Sequence, residues 1–505
     1  MLKVQKLLLV VLAFLFLWPL NRVQAAEEIG EGTAKVKEIM EYLYQYHLLR
    51  PRAETLVEGA VEGLLGKLGD PYTEYLPEEK LRGFTESLEG EYGGIGVELE
   101  AAYPYPRVRK VFPASPAGRA GLREGDCIAR VEGEDVAGLP LPEVVNRLRG
   151  PAGSRVEVTV RREGGVEFSV TLVREVVRAP SLEWRMLPGS VAYIKISYFA
   201  SHTAEEFSAV AAALKKEQLK GVILDLQDNP GGYLQAAVDV AGFFLPRGLV
   251  VVVTVDREGR REEYYPRGGG PALPEVPVVV LQNGGTASAA EVLAGALEDY
   301  RRAVLVGSRS YGKGVVQAVV PLKTGGALKI TIARYLTPRG RSLEGSGLVP
   351  ARQVSLPCLV LAAARQELYP ERPRTLAFDL RGGGAWVGTE RVAACGLAPV
   401  SPGGEWYLPL RFTLEALGFG VRWDEEGGRV VAARGERELA LAPAEKLALI
   451  GGRQVPVEPL WVDGHLYLPS SIFTRLGIQV KLEGGRLELE FWPSGREEYP
   501  RTLLN

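Results

Sequence analysis

Hydrophobic patterning changes texture several times along the chain. From Ala34 to about Glu89, apolar residues recur at three- and four-residue spacings (Val36, Ile39, Met40, Leu43; then Leu56, Val57, Ala60, Val61, Leu64, Leu65), which predicts helices. Asp70-Pro71-Tyr72 interrupts the pattern, and a further short helix is expected near Pro77. Between residues 90 and 175 the runs become short and alternating. Val156, Val158 and Val160 share one face of a strand, Ile128 to Val136 read as strands and Pro142 to Leu148 as a helix. From about Leu182 to Pro357 strands and helices alternate: Val191 to Ile196, Ala204 to Lys215, Gly221 to Leu226, Leu234 to Phe244. That alternation predicts a layered α/β core.

Past Cys358 a helix-like segment (Leu359 to Leu368) gives way to a linker, Pro370 to Arg374, and then to a glycine-rich β pattern. Trp406-Tyr407-Leu408-Pro409-Leu410 with Leu414, Leu417-Gly418 and Val421 recurs about 60 residues later as Leu466-Tyr467-Leu468-Pro469-Ser470 with Phe473, Leu476-Gly477 and Val480. The 505 residues therefore call for several domains rather than one core, roughly two to four. A hydrophobic fraction of 46%, a charged fraction of 24% and a net charge of −2 describe a globular protein with nothing basic enough to bind nucleic acid.

Residues 1–25 read as a secretory leader: Lys3 and Lys6, an apolar run from Leu7 to Leu20, and Val23-Gln24-Ala25 before a cut after Ala25. The run is short for a span, which needs ~20 residues, although an uncleaved anchor is the alternative. Either way the rest is expected to work outside the cytoplasm, secreted or bound to the cell envelope. The three cysteines, Cys127, Cys358 and Cys395, show no metal-binding spacing, so no metal or other cofactor is expected. Cys358 with Cys395 is the one disulfide to entertain, and Cys127 reads as a buried small hydrophobe.

Candidate chemistry gathers between Leu281 and Gln317. An apolar run ends in Asn283-Gly284-Gly285, and a helical pattern opens at Ser288, which places a hydroxyl on a strand-to-helix corner. The first N–H groups of a helix lack internal partners and can hold an oxyanion, so Ala289 is a candidate donor. Lys313, in Tyr311-Gly312-Lys313-Gly314, can serve as base if burial keeps its amine neutral. If Val315 and Val316 continue as a strand, Lys313 and Gln317 share a face, and Gln317 could hold the amine toward Ser288. Ser288-Ala289-Ala290-Glu291 equally fits a capping box with no chemistry, and a glycine-flanked lysine fits a plain turn.

GGTASAAEVLAGALEDYRRAVLVGSRSYGKGVVQ resembles the active-site segment of the carboxyl-terminal processing (tail-specific) serine proteases, close to GSASASE, AGAL-x-D and YGKG-x-x-Q. Thr286 and Ala290 stand where that family usually has serine. The resemblance implies Ser288 as nucleophile, Lys313 as general base and Gln317 as its orienting partner. DLQDNPGG (225–232) is similar to the family's DLR-x-NPGG loop and implies a second oxyanion donor at Gly231 or Gly232, with Gln227 in place of arginine. Near the core's end, Ala351 departs from the usual aspartate.

Gly93-Gly94-Ile95-Gly96-Val97 sets glycines before a short strand, so that successive N–H groups could form a nest for a carboxylate; with SPAGRAGLREGD (115–126) after it, the stretch resembles a PDZ domain. It implies capture of a protein substrate's free C-terminus as an added strand, with Ile95, Gly96 and Val97 at the terminal carboxylate; a tight hairpin start is the plainer reading of these three. LLGKLGDPYTEYL matches the family's N-terminal helical segment, a packing or dimerising arm. The two repeats at the end resemble the copper amine oxidase N-terminal-like domain, read here as an adhesion or spacer module that could touch the envelope.

The expectation is an α/β and α+β multidomain chain: leader 1–25, helical arm 26–89, PDZ domain 90–178, layered α/β Ser-Lys protease core 179–357, helix and linker 358–380, two-repeat α+β domain 381–505. It describes an exported endopeptidase working through an acyl-enzyme. Two rivals stand beside it: a non-catalytic adaptor with a relic core, and a hydrolase using His202 as base. Asp299 and Arg161 are read as local structural or surface groups, and His47 and His465 as solvent-facing.

Overall fold

The computed structural model describes residues 22–492, apart from 113, 269, 271, 274, 275 and 393–395. The apolar run of the expected leader lies outside the described residues. No described helix is long and apolar enough to cross a membrane. The architecture is a mixed α/β and α+β multidomain one, and the chain divides into two compact units.

One unit contains the residues up to Thr85 together with 254–260 and 315–334. Its helices are α1 (Arg22–Tyr46) and α2 (Ala53–Gly66), and α2 buries no residue. The interruption at Asp70-Pro71-Tyr72 has a mechanism. The Asp70 carboxylate accepts the Tyr72 N–H at 2.9 Å and the Thr73 hydroxyl at 2.6 Å, a turn that competes with helix. The chain then runs as a short strand, Glu74–Leu76, paired antiparallel with the long strand Ala327–Leu336, whose hairpin partner is Val315–Pro321.

The other unit holds three regions. In the first, Glu91–Gly94 and Glu175–Arg178 pair as a two-stranded ribbon through which the chain enters and leaves a separate sheet. That sheet runs from its edge strand β1 (Val97–Glu100) through Arg107–Val111, Cys127–Val131 and Arg155–Arg161 to Glu167–Val173. Helix α3 (Leu141–Leu148) closes it, and Val108, Ile128, Val144, Val156, Val158 and Val160 form the core.

The second region is a six-stranded sheet in the order β2 (Leu182–Leu187), β3 (Val191–Ile196), β4 (Gly221–Asp225), β5 (Val278–Gln282), β6 (Ala303–Gly307) and β7 (Arg352–Gln353). Only the β2–β3 pair is antiparallel. Strands β4 and β5 are buried on both faces, which is why they read as unbroken apolar runs. Helices α4 (Thr203–Leu214), α5 (Leu234–Ala241) and α6 (Ala289–Asp299) pack in succession. Helix α7 (Pro357–Glu367) lies on β5 and β6, on the face that carries Ile223, Val279, Leu281 and Val306.

The third region corrects the expected linker. Arg374 is buried and opens strand β8 (Arg374–Asp379), which pairs with Arg486–Phe491. Leu376, Phe378, Phe412, Phe473 and Phe491 then continue the same apolar core that begins at Ile223 and passes through α7. Both sequence repeats are strand-then-helix, Tyr407–Pro409 with Leu410–Ala416 and His465–Pro469 with Ser470–Arg475. Their equivalent residues Leu408 and Leu468 face each other across an antiparallel pair. Cys358 is disulfide-bonded and Cys127 is free and half-buried; Cys395 lies outside the described residues.

Candidate active site

Strand β5 ends at Gln282, and the turn that follows is closed by Thr286. Its hydroxyl accepts the Asn283 N–H at 3.0 Å and donates to Leu226 O at 2.8 Å. A threonine serves that purpose as well as the serine usual in the resembling pattern. Ser288 comes next, half-buried, with φ 56° and ψ −120°. A non-glycine residue held there costs about 1–3 kcal/mol and persists only where neighbours over-determine it. Ser288 stands at the mouth of α6, where the Ala289 N–H finds no acceptor among the described residues. The Ser288–Glu291 capping box is present too, so cap and corner coexist.

The loop after β4 is laced onto this corner. Ala287 N–H donates to Asn229 O at 2.9 Å, and Asn283 Nδ2 donates to Asp228 Oδ1 at 2.9 Å. Asn229, fully buried, donates its side-chain amide to Ile196 O and accepts the Gly231 N–H at 2.9 Å. Gly231 has φ 99°, and a Cβ on it would lie 2.8 Å from Ser288 Cβ, so glycine is required for the approach. Gly232 has φ 134°, and its N–H has no acceptor among the described residues. Of the two glycine donors, Gly232 is the one not already engaged. Gln227, where arginine is usual, gives its N–H to Asp225 Oδ1 at 2.9 Å. Burial pushes the Asp225 carboxyl up, against the Tyr193 hydroxyl and this N–H.

Lys313 sits in the loop after β6, half-buried, ahead of the strand Val315–Pro321. Gly312, at φ 90°, allows the loop to press on 343–347, and the Gly314 N–H donates to Glu344 Oε2 at 2.7 Å. One side chain joins this loop to the serine corner. Glu291, with no exposed surface, accepts the Ser288 N–H at 2.9 Å and the Lys313 N–H at 2.9 Å on Oε2. Its Oε1 takes the Ser310 hydroxyl at 2.5 Å and the Gly312 N–H at 2.7 Å. The S-x-x-E spacing signalled only the first of these bonds; the others depend on tertiary closure.

Gln317 belongs to the other unit. A register irregularity between Val316 and Gln317 breaks the simple alternation, and Gln317 Nε2 donates to Tyr72 O at 2.5 Å. His202 is buried near the two-stranded ribbon, Nε2 3.2 Å from Ala179 O and 3.6 Å from Glu206. Beside it the Tyr198 hydroxyl donates to Ala179 O, and burial near Glu206 and Tyr92 pushes it up to about 12. The imidazole thus packs beside the ribbon through Nε2, while its buried Nδ1 has no partner among the described residues. Asp299 is buried rather than a surface group and takes partners distant in sequence, accepting the Arg339 N–H and pairing with Arg341, whereas Arg161 pairs with Glu167. His47 and His465 are exposed.

In the small sheet, β1 is an edge strand. Gly93 and Gly94 are ribbon residues rather than part of a nest: a Cβ on Gly93 would meet Gly150 O at 2.0 Å. Ile95 and Gly96 remain, with carbonyls taken by the Ala117 and Phe112 N–H groups and their own N–H groups without acceptors among the described residues. Gly96 has φ 81°, and Val97 opens β1.

Comparison with known proteins matches residues 190–354 to peptidase family S41, 107–162 to a PDZ domain, 20–80 to the N-terminal domain of the activating protease CtpB and 387–490 to a copper amine oxidase N-terminal domain. A carboxy-terminal-processing protease of Bartonella bacilliformis is 35% identical over 332 residues, 64% of this chain and 75% of that protein. The carboxy-terminal processing protease CtpB of Bacillus subtilis is 32% identical over 338 residues, 66% of this chain and 70% of that protein. A probable CtpA-like serine protease of Staphylococcus aureus is 35% identical over 326 residues, 64% of this chain and 65% of that protein.

Proposed function

The chain belongs to the carboxy-terminal processing proteases of peptidase family S41, PDZ-containing serine peptidases that use a Ser-Lys dyad, and from that premise we propose that it is an exported endopeptidase acting through Ser288 and Lys313. The observation that carries the assignment is the shared anchor: a serine forced to φ 56° at a helix mouth and the lysine loop are held by one buried carboxylate.

The steps are those of acyl transfer by a Ser-Lys pair. The neutral Lys313 amine takes the Ser288 hydroxyl proton as Oγ bonds to the scissile carbonyl carbon. The Ala289 and Gly232 N–H groups receive the negative charge that develops on the carbonyl oxygen, and Gly231, its own N–H held, supplies the close approach. The Lys313 ammonium then protonates the departing amine. Water then loses a proton to the Lys313 amine as its oxygen bonds to the ester carbonyl carbon, and the bond to Oγ breaks as the ammonium returns that proton to Ser288. Gln317 enters as the residue steering the lysine on the strength of the YGKG-x-x-Q pattern. No step calls for a cofactor.

Substrates are taken by the C-terminal tail. Edge strand β1 can accept an added strand, and the Ile95 and Gly96 N–H groups suit a terminal carboxylate. Export is supported by the leader pattern and by the Cys358 disulfide, a bond that persists in oxidising compartments. The helical arm, with Ile39, Tyr42, Leu48 and Leu49 exposed, is the face for a second copy, and the repeat domain is the face for the envelope.

Purified protein should cleave an unfolded polypeptide ending in a free apolar carboxyl terminus and cleave the C-terminally amidated form at least about tenfold more slowly at low concentration. Ser288→Ala and Lys313→Ala should abolish cleavage while His202→Ala retains it. Cleavage surviving in Lys313→Ala defeats the mechanism, and cleavage lost only in His202→Ala favours a histidine base.

A further inference from the structure

We propose that Glu291 is a positioning residue of the catalytic centre, tying nucleophile and base together and setting the charge against which the lysine must lose its proton. The inference rests on the Ser288–Lys313 assignment and goes beyond it. A side chain closing a helix end normally serves one or two N–H groups of its own first turn. Glu291 serves one N–H of its own turn and three donors from residues 310–313, from Ser310, Gly312 and Lys313. It has no exposed surface and accepts four bonds while donating none. The Ser310 hydroxyl that feeds it is fixed in turn by the Leu348 N–H at 2.7 Å, so the lysine loop is clamped from both sides.

Two consequences follow. Mechanically, the Ser288 and Lys313 backbones share one oxygen, Oε2, so neither can shift without the other. Electrostatically, a buried negative charge next to the Lys313 backbone favours the ammonium over the amine. The site thereby gains a fixed geometry at the cost of raising the pH at which its base becomes active.

The test uses the full chain with an unfolded tail-bearing polypeptide as substrate, measuring kcat, KM and the pH profile of kcat/KM, with thermal melting as a check on folding. Glu291→Gln keeps the shape and removes the charge. Its amide presents a donor where an acceptor is needed, so kcat should fall at least about 100-fold with KM nearly unchanged. In the residual activity, the acid limb should move down by about 1 pH unit, because the neutral amine becomes easier to form. Glu291→Asp should leave the limb within a few tenths of a unit of wild type. Ser310→Ala, which removes one donor and no charge, should lower kcat several-fold at constant KM without moving the limb. If Glu291→Gln does not fold, Ser310→Ala and Glu291→Asp decide: full wild-type kcat in both overturns the proposal. So does a folded Glu291→Gln enzyme whose rate falls while its limb stays in place, which is what a merely structural cap would give. A wild type whose cleavage survives Lys313→Ala overturns the underlying assignment instead, and is distinguished because that variant is assayed alongside.

Discussion

Ser288 is a residue whose backbone works against its own stability. At φ 56° and ψ −120° an L side chain is strained and glycine is not. Ser288→Gly should therefore be inactive yet melt no lower than Ser288→Ala, with up to about 1 kcal/mol in its favour, a comparison readable in one set of melting curves. A second residue-scale prediction concerns Asp126 in the PDZ module. Burial works to raise its carboxyl, but the Arg162 guanidinium at 2.7 Å and the Arg123 N–H at 2.8 Å hold it below the ordinary value. A carboxyl depressed in the folded state contributes stability above its unfolded value and loses it as pH falls through the folded one. Asp126→Asn should thus cost about 1–3 kcal/mol at pH 7 and progressively less as pH falls below the ordinary carboxylate range, followed by urea unfolding of the full chain. Ser288 and Lys313 stand out in the sequence because glycines and small residues frame them. Glu291 was legible only as a cap, since nothing local says that residues 310–313 come back to it.

At the level of elements, periodicity placed most strands and helices of the core, because buried parallel strands leave unbroken apolar runs. What it could not give were contacts set by close approach. Gly93 and Gly94 look like a carboxylate nest in sequence and instead let a ribbon cross Gly150. Between Lys313 and Gln317 the strand carries a register irregularity at Val316/Gln317, which simple alternation does not foresee. Gly231 shows how such contacts bear on function. A methyl there would sit 2.8 Å from Ser288 Cβ and 2.9 Å from Ala287 O at a φ that resists side chains. Gly231→Ala should lower kcat by at least about 100-fold, and cost about 1–3 kcal/mol in thermal stability, while leaving the affinity of the PDZ module for a tail peptide unchanged, a split that titration and kinetics together would show.

On the scale of the whole chain, the two-repeat domain is not an appended spacer. Arg352 of β7 and Arg374 of β8 both pair with Glu367, all three buried. Glu415, on the first repeat's helix, accepts the Ser355 and Leu356 N–H groups at 2.9 and 3.2 Å. These bonds cross from the protease sheet to the repeats over a shared apolar core. The sequence suggested a linker because Pro370 to Arg374 is proline-rich and charged, and a buried arginine is invisible when its carboxylate partner is supplied by a neighbouring helix. Phe412→Ala should therefore cost about 3–5 kcal/mol and lower the melting of the protease sheet as well, seen by calorimetry as one shared transition shifting rather than a separate small one.

The account stands or falls on an amine activating a hydroxyl. The most direct measurement is the rate at which a serine-directed fluorophosphonate labels the protein, located by mass spectrometry of the peptide containing Ser288. We expect a single adduct on Ser288, formed faster as pH rises through the lysine's titration, and at least about 10³-fold slower in Lys313→Ala. Equal labelling in wild type and Lys313→Ala, or an adduct on another serine, would contradict it.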